Sequence, residues 1–423
     1  MIVYQANILF TSSPTHFEVY ERGYIAVDES GIIQGVYDAL PEDLVYEQLV
    51  DYGDKLLIPA MNDMHVHAPQ YTNMGVAMDM QLLPWLETYV FPEESKFADE
   101  AYARAVYHCF VSELWRQGTM RAAVFATIHT SSTQILARTF DEAGMGALIG
   151  LVGMDRHAPA SLCNTSAEWE TGIQTLIDSL ASMPLVKPII TPRFIPSCTP
   201  EMLRCMGEMA KQTLLPVQSH LSENKKEIAW VSELEPTSSC YGDAYNRYGL
   251  FGQTPTLMAH CCYTDGEELR LMREQHVYAV HCPTSNCNLA SGIAPVRKML
   301  QQGINVVLGS DIAGGHHLSM LRVMQYAVQM SKLQYAASDG EYPFLTLSEV
   351  FYMATKAGGS FFGKVGSFEA GYAFDALVID DHSLLPHGHI TSSLVERLER
   401  FVYLGDDRHI QHRFCQGKEI KLV

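Results

Sequence analysis

At 423 residues, with 47% hydrophobic and 18% charged residues, the chain is long enough for one large catalytic domain plus a small accessory one, and it carries no disordered tail, internal repeat or low-complexity run. Acidic residues outnumber basic ones 48 to 29, and the formal charge of −19 repels nucleic acid and anionic lipid surfaces alike. No basic segment precedes the apolar start MIVYQANILF, and no apolar run reaches the roughly twenty residues that span a bilayer, so the expectation is a cytosolic protein with no nucleic-acid or membrane partner.

In chain order, Gly23 to Asp28 and Ile32 to Tyr37 flank the turn Glu29-Ser30-Gly31, a hairpin signal. Eight short β-branched or apolar runs follow, most of them trailed by a segment of helical spacing. They are Lys55 to Pro59, Arg121 to Phe125, Ala147 to Val152, Lys187 to Thr191, Leu215 to Ser219, Thr256 to Ala259, Val277 to Val280 and Asn305 to Leu308. Eight βα units in about 250 to 300 residues predict an α/β fold, a TIM (β/α)8 barrel whose chemistry lies at the C-terminal strand ends. Ser319 to Tyr335 and Ser348 to Phe362 have helical periodicity, with Leu321, Met324 and Val328 on one face. Ala373 to Ile379 and Val402 to Leu404 read as strands, before a last hairpin through Gly417. Both chain ends are therefore expected to be β. The predicted division is a small β-sandwich domain from residues 1–54 and 366–423, and a barrel from 55–365.

The ten cysteines lack the density of a disulfide scaffold and read as free thiols. Cys261, Cys262 and Cys282 lie in apolar strand-like runs and are expected to be small buried hydrophobes rather than ligands.

The polar residues that stand out fall where predicted strands end: His65 and His67 after the first, His220 after the fifth, His260 after the sixth and Asp311 after the eighth. One such histidine would ordinarily be a satisfied core residue. Several converging on one barrel mouth suggest a metal site, and residues two apart in a strand project to the same side, so His65 and His67 can reach one ion. Imidazoles with one carboxylate suit a zinc-type divalent ion with an open position for water, which ionises near pH 7 when bound. Glu223 stands three residues beyond His220, placed to be the general acid that a hydrolytic leaving group needs, the plain alternative being an exposed loop acid.

With these residues in place, the chain resembles the amidohydrolase superfamily and, within it, the guanine deaminases, over nearly its whole length. The H-x-H and Asp motifs point only to the superfamily. The narrower resemblance is carried by Pro59 to Tyr71 (PAMNDMHVHAPQY), Phe125 to Thr130 (FATIHT), Thr191 to Phe194 (TPRF), Gln218 to Asn224 (QSHLSEN), Met258 to Tyr263 (MAHCCY), His281 to Asn286 (HCPTSN), Leu308 to Gly315 (LGSDIAGG) and Val402 to Ile410 (VYLGDDRHI). The resemblance implies hydrolytic deamination of guanine to xanthine and ammonia by attack of metal-bound hydroxide at C2. It implies one Zn2+ per chain, with another divalent ion such as Fe2+ as an alternative, and the ligands His65, His67, His220 and Asp311. It makes Glu223 the acid/base, with His260 orienting water or substrate and Asp311 also taking part in catalysis. The purine is implied to lie against Gln70, Arg193 and Phe194, within reach of His67, His220 and Asp311. A cytoplasmic homodimer in purine catabolism is implied as well. For Gln70 and Arg193 the plain reading is a loop residue or surface ion pair, and for Phe194 a core residue.

Ala60, Met64 and Met120-Arg121 depart from the family pattern, at positions of packing rather than chemistry. Thr127 and His129 match it, and either contact with ligand or bracing fits them. A related aminohydrolase acting on a pterin or triazine would keep every ligand and differ at Gln70, Arg193 and Phe194. A metal-free scaffold on the same fold would have lost ligands, and here none is missing. The deaminases that use H-x-E and P-C-x-x-C motifs are excluded, since no P-C-x-x-C occurs.

Overall fold

The structure, a computed structural model, describes residues 1–385 and 392–422. Met61–His67, Thr119–Phe125, Gly146–Gly150 and Val186–Pro188 form a four-stranded parallel sheet. Val217–Leu221, Thr256–His260, Tyr278–His281 and Val306–Leu308 form a second. Helices separate the strands, and almost every strand residue is buried on whichever face it points to, as parallel sheets covered by helices require.

The two sheets approach each other at both edges. Ile190 makes a parallel bridge to Val217. On the other side, Asp311 donates its backbone N–H to the His65 carbonyl over 2.8 Å, and the buried Asp63 carboxylate accepts the Ser310 backbone N–H at 2.9 Å together with the Ser310 hydroxyl. A Cβ at position 309 would lie 2.8 Å from that of His65, so glycine is what lets the last strand come this close to the first. Met64, Ala123, Leu257, Val280 and Val307, from strands of both sheets, make a common apolar cluster with Cys282.

Seven strands from the two chain ends form another sheet: in spatial order Lys418–Glu419, Ile410–Cys415, Ala376–Ile379, Gln48–Pro59, Ile2–Ser13, His16–Val27 and Ile33–Tyr37. The hairpin around Glu29-Ser30-Gly31 is present as read. The strands make one sheet rather than two, and a bridge between Ile32 and Ala373 brings one edge back toward the middle. Tyr4, Ile25, Phe368, Phe374 and Phe414 fill the space so enclosed, with the Tyr4 and Phe374 rings stacked at 4.8 Å.

Two expected strands are corrected. Lys55 to Pro59, read as the first barrel strand, belongs to Gln48–Pro59 of the seven-stranded sheet, where it pairs with Ala376–Ile379; the strand bearing the histidines starts at Met61. The two extended stretches are nearly continuous, and their partners assign them to different sheets. Val402 to Leu404 ends the helix Leu394–Leu404 instead of forming a strand. There a Ser393–Glu396 capping box and the apolar face Leu394, Leu398 and Phe401 outweigh the β propensity of Phe-Val-Tyr.

Arg121, one of the departures from the family pattern, is buried with Asp375, to which its Nε and Nη2 donate at 2.5 and 3.2 Å. The pair ties the first parallel sheet to the seven-stranded one. Asp375→Ala would leave a buried guanidinium unpaired, and removing one partner of such a pair costs about 3–5 kcal/mol. The expected outcome is a destabilisation of that size in urea or thermal unfolding; wild-type stability would show that the pair carries no net weight. Among the described residues no helix is long and apolar enough to cross a membrane. All ten cysteines are unpaired, and Cys261, Cys262 and Cys282 are buried as expected.

Candidate active site

His65 and His67 lie near the end of Met61–His67, with their side chains on the same side of the strand. His220 and His260 come from neighbouring strands, in which His220 pairs with Ala259 and Leu221 with His260. At or just past the ends of these strands and of Val306–Leu308 the backbone takes left-handed conformations at Ser222 (φ 47°), His260 (φ 72°) and Asp311 (φ 49°). Non-glycine residues seldom adopt these, and where they do the surrounding structure must hold them.

The ring nitrogens and carboxylate converge. His65 Nε2 and His67 Nε2 lie 3.2 and 3.4 Å from Asp311 Oδ1, and His67 Nε2 lies 3.2 Å from His220 Nε2. His65 Nε2 is buried with no hydrogen-bond partner. The His220 Nδ1–H donates to the Arg193 carbonyl at 2.6 Å, which leaves Nε2 as a lone pair aimed into the cluster. Burial pushes the pKa of His65, His67 and His220 down, so each is a neutral donor. Burial alone would raise Asp311, but the imidazoles of His65, His260 and His67 gathered around it hold it far below the usual carboxylate range. An orphaned buried nitrogen, neutral imidazoles and one carboxylate suit a zinc-type divalent ion.

His260 also offers a ring nitrogen within 4.8 Å of those of His65 and His220; its Nε2 lies 3.7 Å from Asp311 Oδ2 and 3.5 Å from Glu223 Oε2, and its Nδ1–H donates to Asn286 Oδ1 at 2.9 Å. Burial opposes charge on this ring, but the Glu223 and Asp311 carboxylates outweigh it and raise the pKa. Glu223 is buried, not the exposed loop acid of the plain reading. It sits just before the helix Lys225–Leu234, where Asn224 and Glu227 form a capping box and Glu227 accepts the Glu223 backbone N–H at 3.1 Å. The Ser291 hydroxyl donates to Glu223 Oε1 at 2.7 Å. Burial raises the pKa of Glu223, and it raises that of Glu227, with help from the Glu223 charge, to about 7.

A cavity opens over the cluster, lined by His67, His220, His260, Asp311 and Glu223 together with Gln70, Arg193, Phe194, Leu82, Trp85 and Leu86. Every site residue read from the sequence lines it except His65, which is buried within the His/Asp cluster itself. Thr127 and His129 are not among the lining residues. The Thr127 hydroxyl and carbonyl accept backbone N–H groups of His129 and Val152, so both residues brace the strand end.

Four residues at or beside the site went unnoticed in the sequence: Glu94, Glu227, Asn286 and Ser291. Glu94 is buried and forms a two-pronged ion pair with Arg193, Oε2–Nη1 at 2.5 Å and Oε1–Nη2 at 3.1 Å. Arg193 is thus in an ion pair, as the plain reading allowed, but a buried one beside the cavity. The usable signal was length. More than fifty residues separate His67 from Thr119, far more than one connecting helix needs; from that stretch Leu82, Trp85 and Leu86 line the pocket and Glu94 pairs with Arg193.

Comparison with known proteins agrees with this geometry. Residues 56–420 match the amidohydrolase family. The chain is 37% identical to guanine deaminase of Dictyostelium discoideum, over 99% of this chain and 98% of that one. The chain belongs to the amidohydrolase family, among its guanine deaminases. Within that family, the crystal structure of guanine deaminase from C. acetobutylicum with bound guanine in the active site is similar at TM-score 0.96 and 48% identity, covering 99% of each chain. E. coli guanine deaminase is similar at TM-score 0.90 and 29% identity, covering 100% of this chain and 99% of that one.

Proposed function

We propose that this amidohydrolase converts guanine and water to xanthine and ammonia. The observation that carries the reading is that one cavity is lined both by the metal-type donors His67, His220 and Asp311 and by Gln70, Arg193 and Phe194. The two parallel sheets, linked at Ile190–Val217 and Asp311–His65, are read as halves of one (β/α)8 barrel within residues 55–365. The ends, 1–54 and 366–423, are read as a small β-sandwich-like domain, to which residues 55–59 are added.

In this reading His65, His67, His220 and Asp311 hold one Zn2+. Such an ion supplies an activated water whose pKa falls to about 7. The remaining steps belong to side chains of the chain itself. Because Ser291 donates to Glu223 Oε1, the proton Glu223 carries rides on Oε2, the oxygen that faces His260. Glu223 takes a proton from the attacking water and delivers it to the ring nitrogen next to C2. As the C2–N bond breaks it passes the proton of the hydroxyl now on C2 to the amino group, so that C2 becomes a carbonyl and ammonia leaves. His260, held by Asn286, orients the water, and Phe194 packs on the base. Arg193 and Gln70 offer donors to the 6-oxo group. A cytosolic homodimer acting in purine catabolism goes with the same reading.

The test is steady-state turnover of guanine and adenine by wild type and Arg193→Met, with bound zinc measured alongside. Guanine should be turned over and adenine not, because adenine has no amino group at C2 and would set its 6-amino donors against Arg193. Sites built on hydrogen bonds discriminate by about 10⁴-fold on such grounds. In Arg193→Met, guanine kcat/KM should fall by roughly 10²-fold, about 3 kcal/mol, with zinc retained. Unchanged guanine kinetics in the variant, or efficient adenine turnover by wild type, would sink the assignment of Arg193 to C6.

A further inference from the structure

Arg193 and Gln70 are joined through a carboxylate that has no part in the reading above. Besides taking both terminal nitrogens of Arg193, Glu94 Oε1 accepts from Gln70 Nε2 at 3.0 Å. At its other end, Gln70 Oε1 accepts the Ala313 backbone N–H at 3.2 Å. All of this is buried: the Arg193 and Glu94 side chains are 6% and 5% exposed, and Gln70 is 3% exposed. Desolvation makes a buried ion pair a poor source of stability, so geometry is the more plausible use for this one.

The donor count shows what the geometry does. A glutamine amide looks nearly the same from either end, and a rotation by half a turn exchanges donor and acceptor. Here that rotation would press the amide oxygen against the Glu94 carboxylate and the NH2 group against the Ala313 N–H, two repulsive contacts in a dry site. The amide is therefore held in one orientation. Of its two N–H groups one is spent on Glu94, and two of the Arg193 donors are spent the same way, so the remaining donors of both residues are fixed in direction. A neutral amide at position 94 could not impose this, because it can both give and accept.

We propose that Glu94 is a specificity-determining positioning residue. It locks the amide of Gln70 and the fork of Arg193 so that the cavity presents donors, and not an acceptor, to the 6-substituent of the purine. The proposal rests on the guanine reading. It assigns selection of 6-oxo over 6-amino purines to the Glu94–Arg193–Gln70 unit as a whole rather than to Arg193 alone.

The discriminating substrate is 2,6-diaminopurine, which keeps the 2-amino leaving group of guanine and replaces the 6-oxo group by an amino group. We would measure kcat and KM for both purines, and bound zinc, in wild type and Glu94→Gln. The expected result is retained zinc, a guanine kcat/KM lowered about 10-fold or more mainly through KM, and a guanine-to-diaminopurine selectivity ratio lowered about 10-fold or more, because the freed Gln70 can turn its oxygen toward the 6-amino group. A purely structural role would lower both substrates in proportion; an unchanged ratio would overturn the proposal. If Glu94→Gln does not fold, Gln70→Leu reads out the same lock from its other side. It should lose selectivity by a similar factor, and an unchanged ratio there overturns the proposal equally. Failure of the guanine reading is distinguishable, since it would appear as wild type that does not turn over guanine at all.

Discussion

His65→Asn, or treatment of the wild-type protein with a strong chelator, is expected to abolish guanine turnover, with Zn2+ restoring it to the chelated wild type but not to the variant. His65 lies at the bottom of the cluster, its Nε2 buried, without a hydrogen-bond partner and 3.2 Å from Asp311 Oδ1. A buried imidazole nitrogen left so is costly unless something else occupies its lone pair. The neighbouring nitrogens of His67 and His220 approach each other at 3.2 Å, a spacing that makes sense for donors sharing an ion. Without the ion the attacking water must be deprotonated by the side chains alone, against a pKa of about 15.7 instead of about 7. The loss should therefore exceed the roughly 10²–10⁴-fold of an ordinary acid–base deletion. The measurement is zinc per chain together with kcat before chelation, after it and after readdition. A chelated, zinc-free protein with full activity would dispose of the metal mechanism.

Glu223→Gln is expected to keep zinc and to bind guanine, yet to lose at least about 10²-fold in kcat. The substitution is close to isosteric, and the Ser291 hydroxyl can still donate to the amide oxygen, as it does now to Oε1 at 2.7 Å. What disappears is the exchangeable proton on the oxygen facing His260. Burial already raises the Glu223 pKa above that of a solvated carboxylate, which suits a group that must both take and release a proton near neutrality. Single-turnover kinetics would separate chemistry from release. A loss confined to KM would assign Glu223 to binding, and wild-type kcat would remove it from the mechanism.

The chemistry of this site was legible because it lies on local patterns. His65 and His67 alternate along one strand, His220, His260 and Asp311 each close an apolar run, and Glu223 follows a ligand at short spacing. Each is a statement about neighbours in sequence, and the parallel architecture then carries all strand ends to one place. The long helix Met320–Ala337 was readable for the same reason, from its periodic apolar face.

What needed the tertiary structure depends on partners far apart in the chain. Lys55 to Pro59 and Met61 to His67 are both extended and nearly continuous, and only pairing with Ala376–Ile379 in one case and Thr119–Phe125 in the other assigns them to different sheets. Val402 read as strand because propensity is local, whereas the helix it joins is set by a cap nine residues earlier and by burial of one face. Glu94 looked like one acid among many, and burial beside Arg193, 99 positions away, is what changes its meaning. Sequence by itself determined the amidohydrolase family and picked out polar residues that line one cavity, since these follow from local motifs and residue type. The orientation of those groups was decided only in three dimensions, because a hydrogen bond or ion pair between distant segments leaves no periodic trace in either of them.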